Sequence, residues 1–200
     1  QFVVSDGGDR IAHSSPTLLT SDSSCEVALG DIDGDDDLDV WVANYNNQAN
    51  LVWVNQGGNQ GGLQGGSPGT YADSGQALGG SSSQCVALGD VDGDGDLDAW
   101  IANFGGQVWI NQGGVQGGTP GTYADSGQAL GNSQSWGVAL GDLDGDGDLD
   151  AWVANGNNQP NRVWMNQGGD QGGTPGTYTD SGQAFGNSYS IDVALGDLDG

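Results

Sequence analysis

One nine-residue phrase, Asp-x-Asp-x-Asp-x-Asp-Leu-Asp, returns down the chain at a nearly constant interval. It begins at Asp31, Asp90 and Asp142, and a fourth copy opens at Asp197. The spacings are 59, 52 and 55 residues. Self-similarity at this period marks a repeat protein, in which each unit stacks on the next to bury an apolar face it cannot bury alone.

Each repeat reads as four short strands. The first covers 27–30, 86–89, 138–141 and 193–196, and runs into the Asp phrase. The second covers 40–44, 99–103 and 151–155. The third is Leu51–Asn55, Gln107–Asn111 and Arg162–Asn166, and the fourth 69–73, 121–125 and 176–180. No segment sustains a helical period. Four strands with short turns make the blade of a β-propeller, so the expected fold is all-β, with about 3.6 repeats. A single repeat domain, 1–200, divides into an outer strand and linker (1–24), three repeats (25–83, 84–135 and 136–190) and the start of a fourth (191–200). Both ends cut through a repeat, and the segment 2–5 reads as an outer strand. Incomplete repeats are pairing templates, which points to other copies of the chain, or a remainder of it, as partners.

The Asp phrase carries the chemistry. Two carboxylates about 4 Å apart repel by roughly 1 kcal/mol in water and roughly 4 kcal/mol near a protein surface. Several in one loop resist closure until a hard cation arrives. Oxygen ligands with no Cys or His nearby point away from zinc, and a crowded acidic cage suits Ca²⁺, one ion per loop. The candidate metal residues are Asp31, Asp33, Asp35, Asp37 and Asp39; Asp90, Asp92, Asp94, Asp96 and Asp98; Asp142, Asp144, Asp146, Asp148 and Asp150; and Asp197 with Asp199. Side chains at positions one, three, five and nine are expected to face the ion, with a backbone carbonyl from position seven. The Asp side chains at position seven (Asp37, Asp96, Asp148) are expected to lie outside the cage or to face solvent. Position six is glycine in the later loops but Asp36 in the first, and Asp tolerates left-handed geometry better than most residues. The phrase starts like an EF-hand, but Val42, Ile101 and Val153 stand at position twelve where an EF-hand has Glu, and β-type runs follow instead of a helix.

The run Val-Ala-Leu-Gly-Asp-Leu-Asp-Gly-Asp-Gly-Asp-Leu-Asp-Ala-Trp-Val-Ala-Asn at 138–155 closely resembles the FG-GAP-like repeats, also called VCBS repeats. The resemblance spans three repeats, from Cys25 onward. It implies calcium-binding β-propeller blades similar to those of integrin α-subunits. It also implies a secreted or cell-surface protein, a setting in which bacteria use these repeats abundantly.

Charge narrows the partners. The formal net charge is −25, and 18 of the 27 acidic residues lie in the Asp loops. A salt-adapted or disordered surface would spread its acids widely. There is no lysine, and Arg10 and Arg162 are the two arginines. Nucleic acid is excluded, because a basic surface supplies most of that affinity. No apolar run approaches the length of a membrane span. Millimolar extracellular Ca²⁺ suits weak multi-site binding, so an extracellular compartment is expected.

Other candidates are weaker. Trp41, Trp100 and Trp152, and then Trp53, Trp109 and Trp164, form two aligned ranks that stack sugars or pack blade against blade; recurrence on central strands favours packing. Trp136 and Tyr189 break the pattern and are better candidates for an individual contact. Cys25 and Cys85 lie in matching segments one residue out of phase, leaving a disulfide or two buried thiols open. His13, in the insertion 10–19, reads as solvated. The Asn pairs at 46–47 and 157–158 read as turns. The Gly-Gly-x-Gln-Gly-Gly segments lack the context of a phosphate loop and read as flexible surface loops. The sequence therefore points to a non-catalytic, calcium-stabilised extracellular structural or adhesion module that could self-assemble into a filament. The alternative is a carbohydrate-binding propeller with glycan or surface-protein partners. A polysaccharide lyase is disfavoured by the scarcity of candidate bases and cations.

Overall fold

The computed structural model describes residues 23–57 and 67–197. The expected strand at 2–5, the insertion with His13, most of the first glycine segment and Asp199 lie outside these residues. Within them the chain forms three four-stranded antiparallel sheets, each in simple up-and-down order. The first holds β1 (Ser24–Gly30), β2 (Asp39–Asn44), β3 (Leu51–Asn55) and β4 (Tyr71–Asp73). The second holds β5 (Cys85–Gly89), β6 (Asp98–Ala102), β7 (Gln107–Asn111) and β8 (Tyr123–Asp125). The third holds β9 (Ser135–Gly141), β10 (Asp150–Asn155), β11 (Arg162–Asn166) and β12 (Tyr178–Asp180). These are blades of β-propeller type. Among the described residues no helix is long and apolar enough to cross a membrane.

The register repeats with the sequence. Gly30 faces Asp39, Gly89 faces Asp98 and Gly141 faces Asp150, so every Asp loop joins a first strand to a second. The β2–β3 turn carries Asn46 and Asn47 at φ 55° and 56°, and the β10–β11 turn carries Asn157 and Asn158 at 52° and 57°. Two successive positive φ angles match the two-residue hairpin turn that suits strand twist. The fourth strands start two residues later than the sequence suggests. Gly69, Gly121 and Gly176 have φ near 76° and belong to the preceding turn.

The core lies between blades. Ile32, Trp41, Val52 and Leu78 of the first pack with Val86, Ile101, Trp109 and Tyr123 of the second. Val91, Trp100, Val108 and Leu130 of the second pack with Val138, Val153, Trp164 and Tyr178 of the third. Tyr123 meets Trp41 edge-on at 4.5 Å between centroids, and Tyr178 meets Trp100 in the same way at 6.3 Å. Trp41 and Trp100 are fully buried, so these rings are packing residues.

Glutamines stitch the same boundaries. Gln76 Nε2 donates to Gly121 O (2.7 Å), and Gln76 Oε1 accepts from Tyr123 N (2.9 Å). Gln128 repeats both bonds with Gly176 O and Tyr178 N, each at 2.7 Å.

The expected first strand at 193–196 does not form. A strand needs a ladder partner, and the second strand of a fourth repeat has no counterpart among the described residues. The segment is largely exposed but keeps one contact of the repeat. Leu195 lies over Gly141 as Leu140 lies over Gly89, so close that a Cβ on either glycine would come within about 3 Å of the leucine. The two cysteines are free, Cys25 exposed and Cys85 buried.

Candidate metal centre

Each Asp loop is wound around its first residue. Asp90 Oδ1 accepts from the backbone N–H of Gly93 (2.8 Å) and Asp94 (3.0 Å), and Oδ2 from Gly95 (3.0 Å). Asp142 does the same with Gly145, Asp146 and Gly147 (2.7, 3.1 and 3.1 Å). In the first loop Asp31 accepts from Asp35 N and Asp36 N (2.8 and 3.0 Å). Position six needs a left-handed residue to present that last N–H. Gly95 and Gly147 supply it at φ 97° and 96°, and Asp36 at 70°.

The ninth residue anchors the loop from below. Asp39, Asp98 and Asp150 are each 0% exposed. Their Oδ2 atoms accept from Ile32, Val91 and Leu143 N–H, all at 2.9 Å. Their Oδ1 atoms accept from Asn55, Asn111 and Asn166 N–H at 2.7, 2.8 and 2.8 Å. In metal-free protein burial pushes the Asp98 carboxyl up to about 7, although these backbone donors pull it down.

Between these anchors the remaining carboxylates converge. Carboxylate oxygens of Asp90, Asp92 and Asp94 lie within 4.8 Å of one another, as do those of Asp142, Asp144 and Asp146, and those of Asp31, Asp33 and Asp39. In the first loop position nine thus takes the place of position five; in the other two the group is positions one, three and five. Position seven lies outside these groups, yet it turns inward and does not face solvent. Asp96 Oδ2, Asp148 Oδ2 and both Asp37 oxygens are buried, because the glycine segment after the third strand lies over them. Asp197 lies among the described residues but falls in none of these groups.

Electrostatically the loops are unfinished. No hydrogen-bond donor reaches buried Asp94 Oδ2, Asp96 Oδ2, Asp146 Oδ2 or Asp148 Oδ2. Desolvation, followed by repulsion from neighbouring aspartates, lifts Asp33 to about 7 and Asp92 to about 6. Asp96 and Asp148 shift upward for the same two reasons. Buried carboxylate oxygens with no donor, in an oxygen-only set, fit a hard divalent cation. Positions one, three and five would hold it in the second and third loops, and Asp31, Asp33 and Asp39 in the first. The cation would supply the positive charge that these oxygens lack.

Sequence reasoning missed the residues that bind each loop to its blade and its neighbour. Asn111, fully buried, donates from Nδ2 to Leu97 O (3.3 Å) and to Ile32 O of the preceding blade's loop (2.9 Å). Its Oδ1 accepts from Gly113 and Gly121 N–H (3.3 and 2.9 Å). Asn166 repeats the pattern, reaching Val91 O at 2.7 Å. The hydroxyls of Tyr71, Tyr123 and Tyr178 donate to Leu38, Leu97 and Leu149 O at 3.1, 2.7 and 2.8 Å. Recurrence at one place in every repeat was the available signal.

Stacked four-stranded blades, each carrying an acidic loop at the same corner, define a repeat protein of β-propeller type. The model of the FG-GAP-like repeat matches residues 31–101 and again 90–153, more than half of the chain. The chain belongs to the FG-GAP-like repeat family, generally a structural and adhesion module. No curated protein gives a significant match.

Proposed function

We propose that this chain is a calcium-stabilised, extracellular, non-catalytic module for structure or adhesion. The observation that carries the reading is the set of buried, donor-less carboxylate oxygens recurring at one corner of successive blades. Calcium accepts the crowded, irregular oxygen cage that these loops offer; magnesium prefers to keep its waters. Ion binding then appears as folding stability, because the unfolded chain has no preformed site. In Ca²⁺, Asp144→Ala lowers the melting temperature; in chelator it leaves the temperature nearly unchanged. An equal loss in both would refute the reading.

A further blade, from another copy or from more of the same polypeptide, docks on the third. Gln76 and Gln128 each clamp the following blade, and Gln183 stands at the corresponding place, exposed. Electron microscopy in Ca²⁺ distinguishes fibres from rings and from single particles. A second reading, carbohydrate binding, rests on Trp136 and the half-exposed Tyr189, whose rings lie 5.6 Å apart. A glycan array with and without chelator separates it from the first.

A further inference from the structure

The Gly-Gly-Val-Gln-Gly-Gly and Gly-Gly-Asp-Gln-Gly-Gly segments are ordered turns, not loose surface loops. Each holds a short 3₁₀ turn, Gly114–Gln116 or Gly169–Gln171, capped by a left-handed glycine. Each is closed by a backbone bond of 2.7 Å, from Gly118 N to Gln112 O or from Gly173 N to Gln167 O.

Both turns lie on the acidic loop of their own blade. Gln116 Nε2 donates to Asp92 Oδ2 at 2.5 Å, and Gln171 Nε2 donates to Asp144 Oδ2 at 2.6 Å. A Cβ on Gly113 or Gly168 would overlap the Asp96 or Asp148 carboxylate. A Cβ on Gly114 would stand 2.5 Å from Asp94 Oδ2, and one on Gly169 would stand 2.7 Å from Asp146 Oδ2. Gly57 approaches Asp37 in the same way, at 2.5 Å. Glycine is present because the backbone must come this close to the carboxylates.

We propose that this glycine turn is the second half of the cation cage: it closes over the acidic loop around a bound divalent ion, latched by Gln116 or Gln171 on the carboxylate at position three. The proposal rests on the ion reading above. The acidic loop, between first and second strands, supplies the ligands. The turn, between third and fourth strands, covers the carboxylates at positions five and seven and excludes water from them. Without the ion, mutual repulsion spreads the carboxylates and lifts the turn. Ion binding therefore fastens the outermost strand to the blade and slows ion release.

The test is hydrogen–deuterium exchange on the intact chain, in Ca²⁺ and in chelator. Ca²⁺ should slow the amides of 113–118 and 168–173 together with those of 90–98 and 142–150. The Q116A/Q171A double variant should keep protection of the acidic loops, lose it in the turns, and release Ca²⁺ to a chelating dye about tenfold faster, the value of one charge-assisted hydrogen bond. Protection of the acidic loops with no change in the turns would overturn the latch and leave the ion reading standing. No protection in either would overturn both. A steric pair gives an independent check. Gly114 and Gly117 have φ of 43° and 68°, but only at Gly114 would a Cβ meet a carboxylate. Gly114→Ala should weaken Ca²⁺ binding more than Gly117→Ala; equal effects would overturn the close-approach argument.

Discussion

Replacing Asn111 with alanine should be among the most damaging single changes in the second blade, and its cost can be worked from its bonds. The side chain makes two short hydrogen bonds, to Ile32 O and from Gly121 N–H, both 2.9 Å, and two long ones of 3.3 Å. A net bond is worth about 1 kcal/mol, and a buried group left unpaired costs about 1–3 kcal/mol. Counting the long bonds at half weight gives a loss of about 3–5 kcal/mol. Asn55 provides the internal comparison. It keeps its bonds to Leu38 O, Gly57 N–H and Gly69 N–H, but has none to a preceding blade's loop among the described residues. Asn55→Ala should therefore cost about 1–2 kcal/mol less than Asn111→Ala. Urea titration in saturating Ca²⁺, followed by circular dichroism and tryptophan fluorescence, measures both variants. Equal midpoints for the two, or a loss below about 1 kcal/mol for Asn111→Ala, would refute the claim that this bond ties blade to blade.

Two other outcomes test the electrostatics and the stacking. In chelator, Asp33, Asp92 and Asp98 hold protons to about 7, 6 and 7, well above the unfolded chain's carboxylates. The folded state then binds more protons than the unfolded one, so metal-free stability is greatest below the unfolded value and is lost as pH rises through 6 to 7. With Ca²⁺ holding the carboxylates ionised, the slope reverses and acidification destabilises; melting curves at pH 5 and pH 7.5 that move the same way in both media would contradict this. Gln128→Ala removes two inter-blade bonds of 2.7 Å and should cost about 1–3 kcal/mol in the same urea assay; a change near zero would mean that water replaces the clamp without loss.

Much of the blade was legible because local pattern and tertiary role agree. The third strands fall at Leu51–Asn55, Gln107–Asn111 and Arg162–Asn166, where the apolar pattern places them. Asp36 takes the left-handed conformation that its position six requires. What stayed hidden depends on neighbours in space. Asn111 reads locally as the polar end of a strand, and only the preceding blade's Ile32 carbonyl reveals why it is buried. The inward turn of Asp96 and Asp148 follows from a glycine segment about twenty residues further on that repetition makes look loose. The segment 193–196 has the composition of a first strand, but a ladder also needs a second strand beside it.

Calcium counting on purified, decalcified protein tests the central claim most directly. Titration calorimetry, with elemental analysis of the dialysed product, should find one Ca²⁺ for each of the three complete acidic loops and a rise in melting temperature that tracks their filling. Protein that takes up no Ca²⁺ at millimolar concentration, or melts at the same temperature with and without it, would contradict the account.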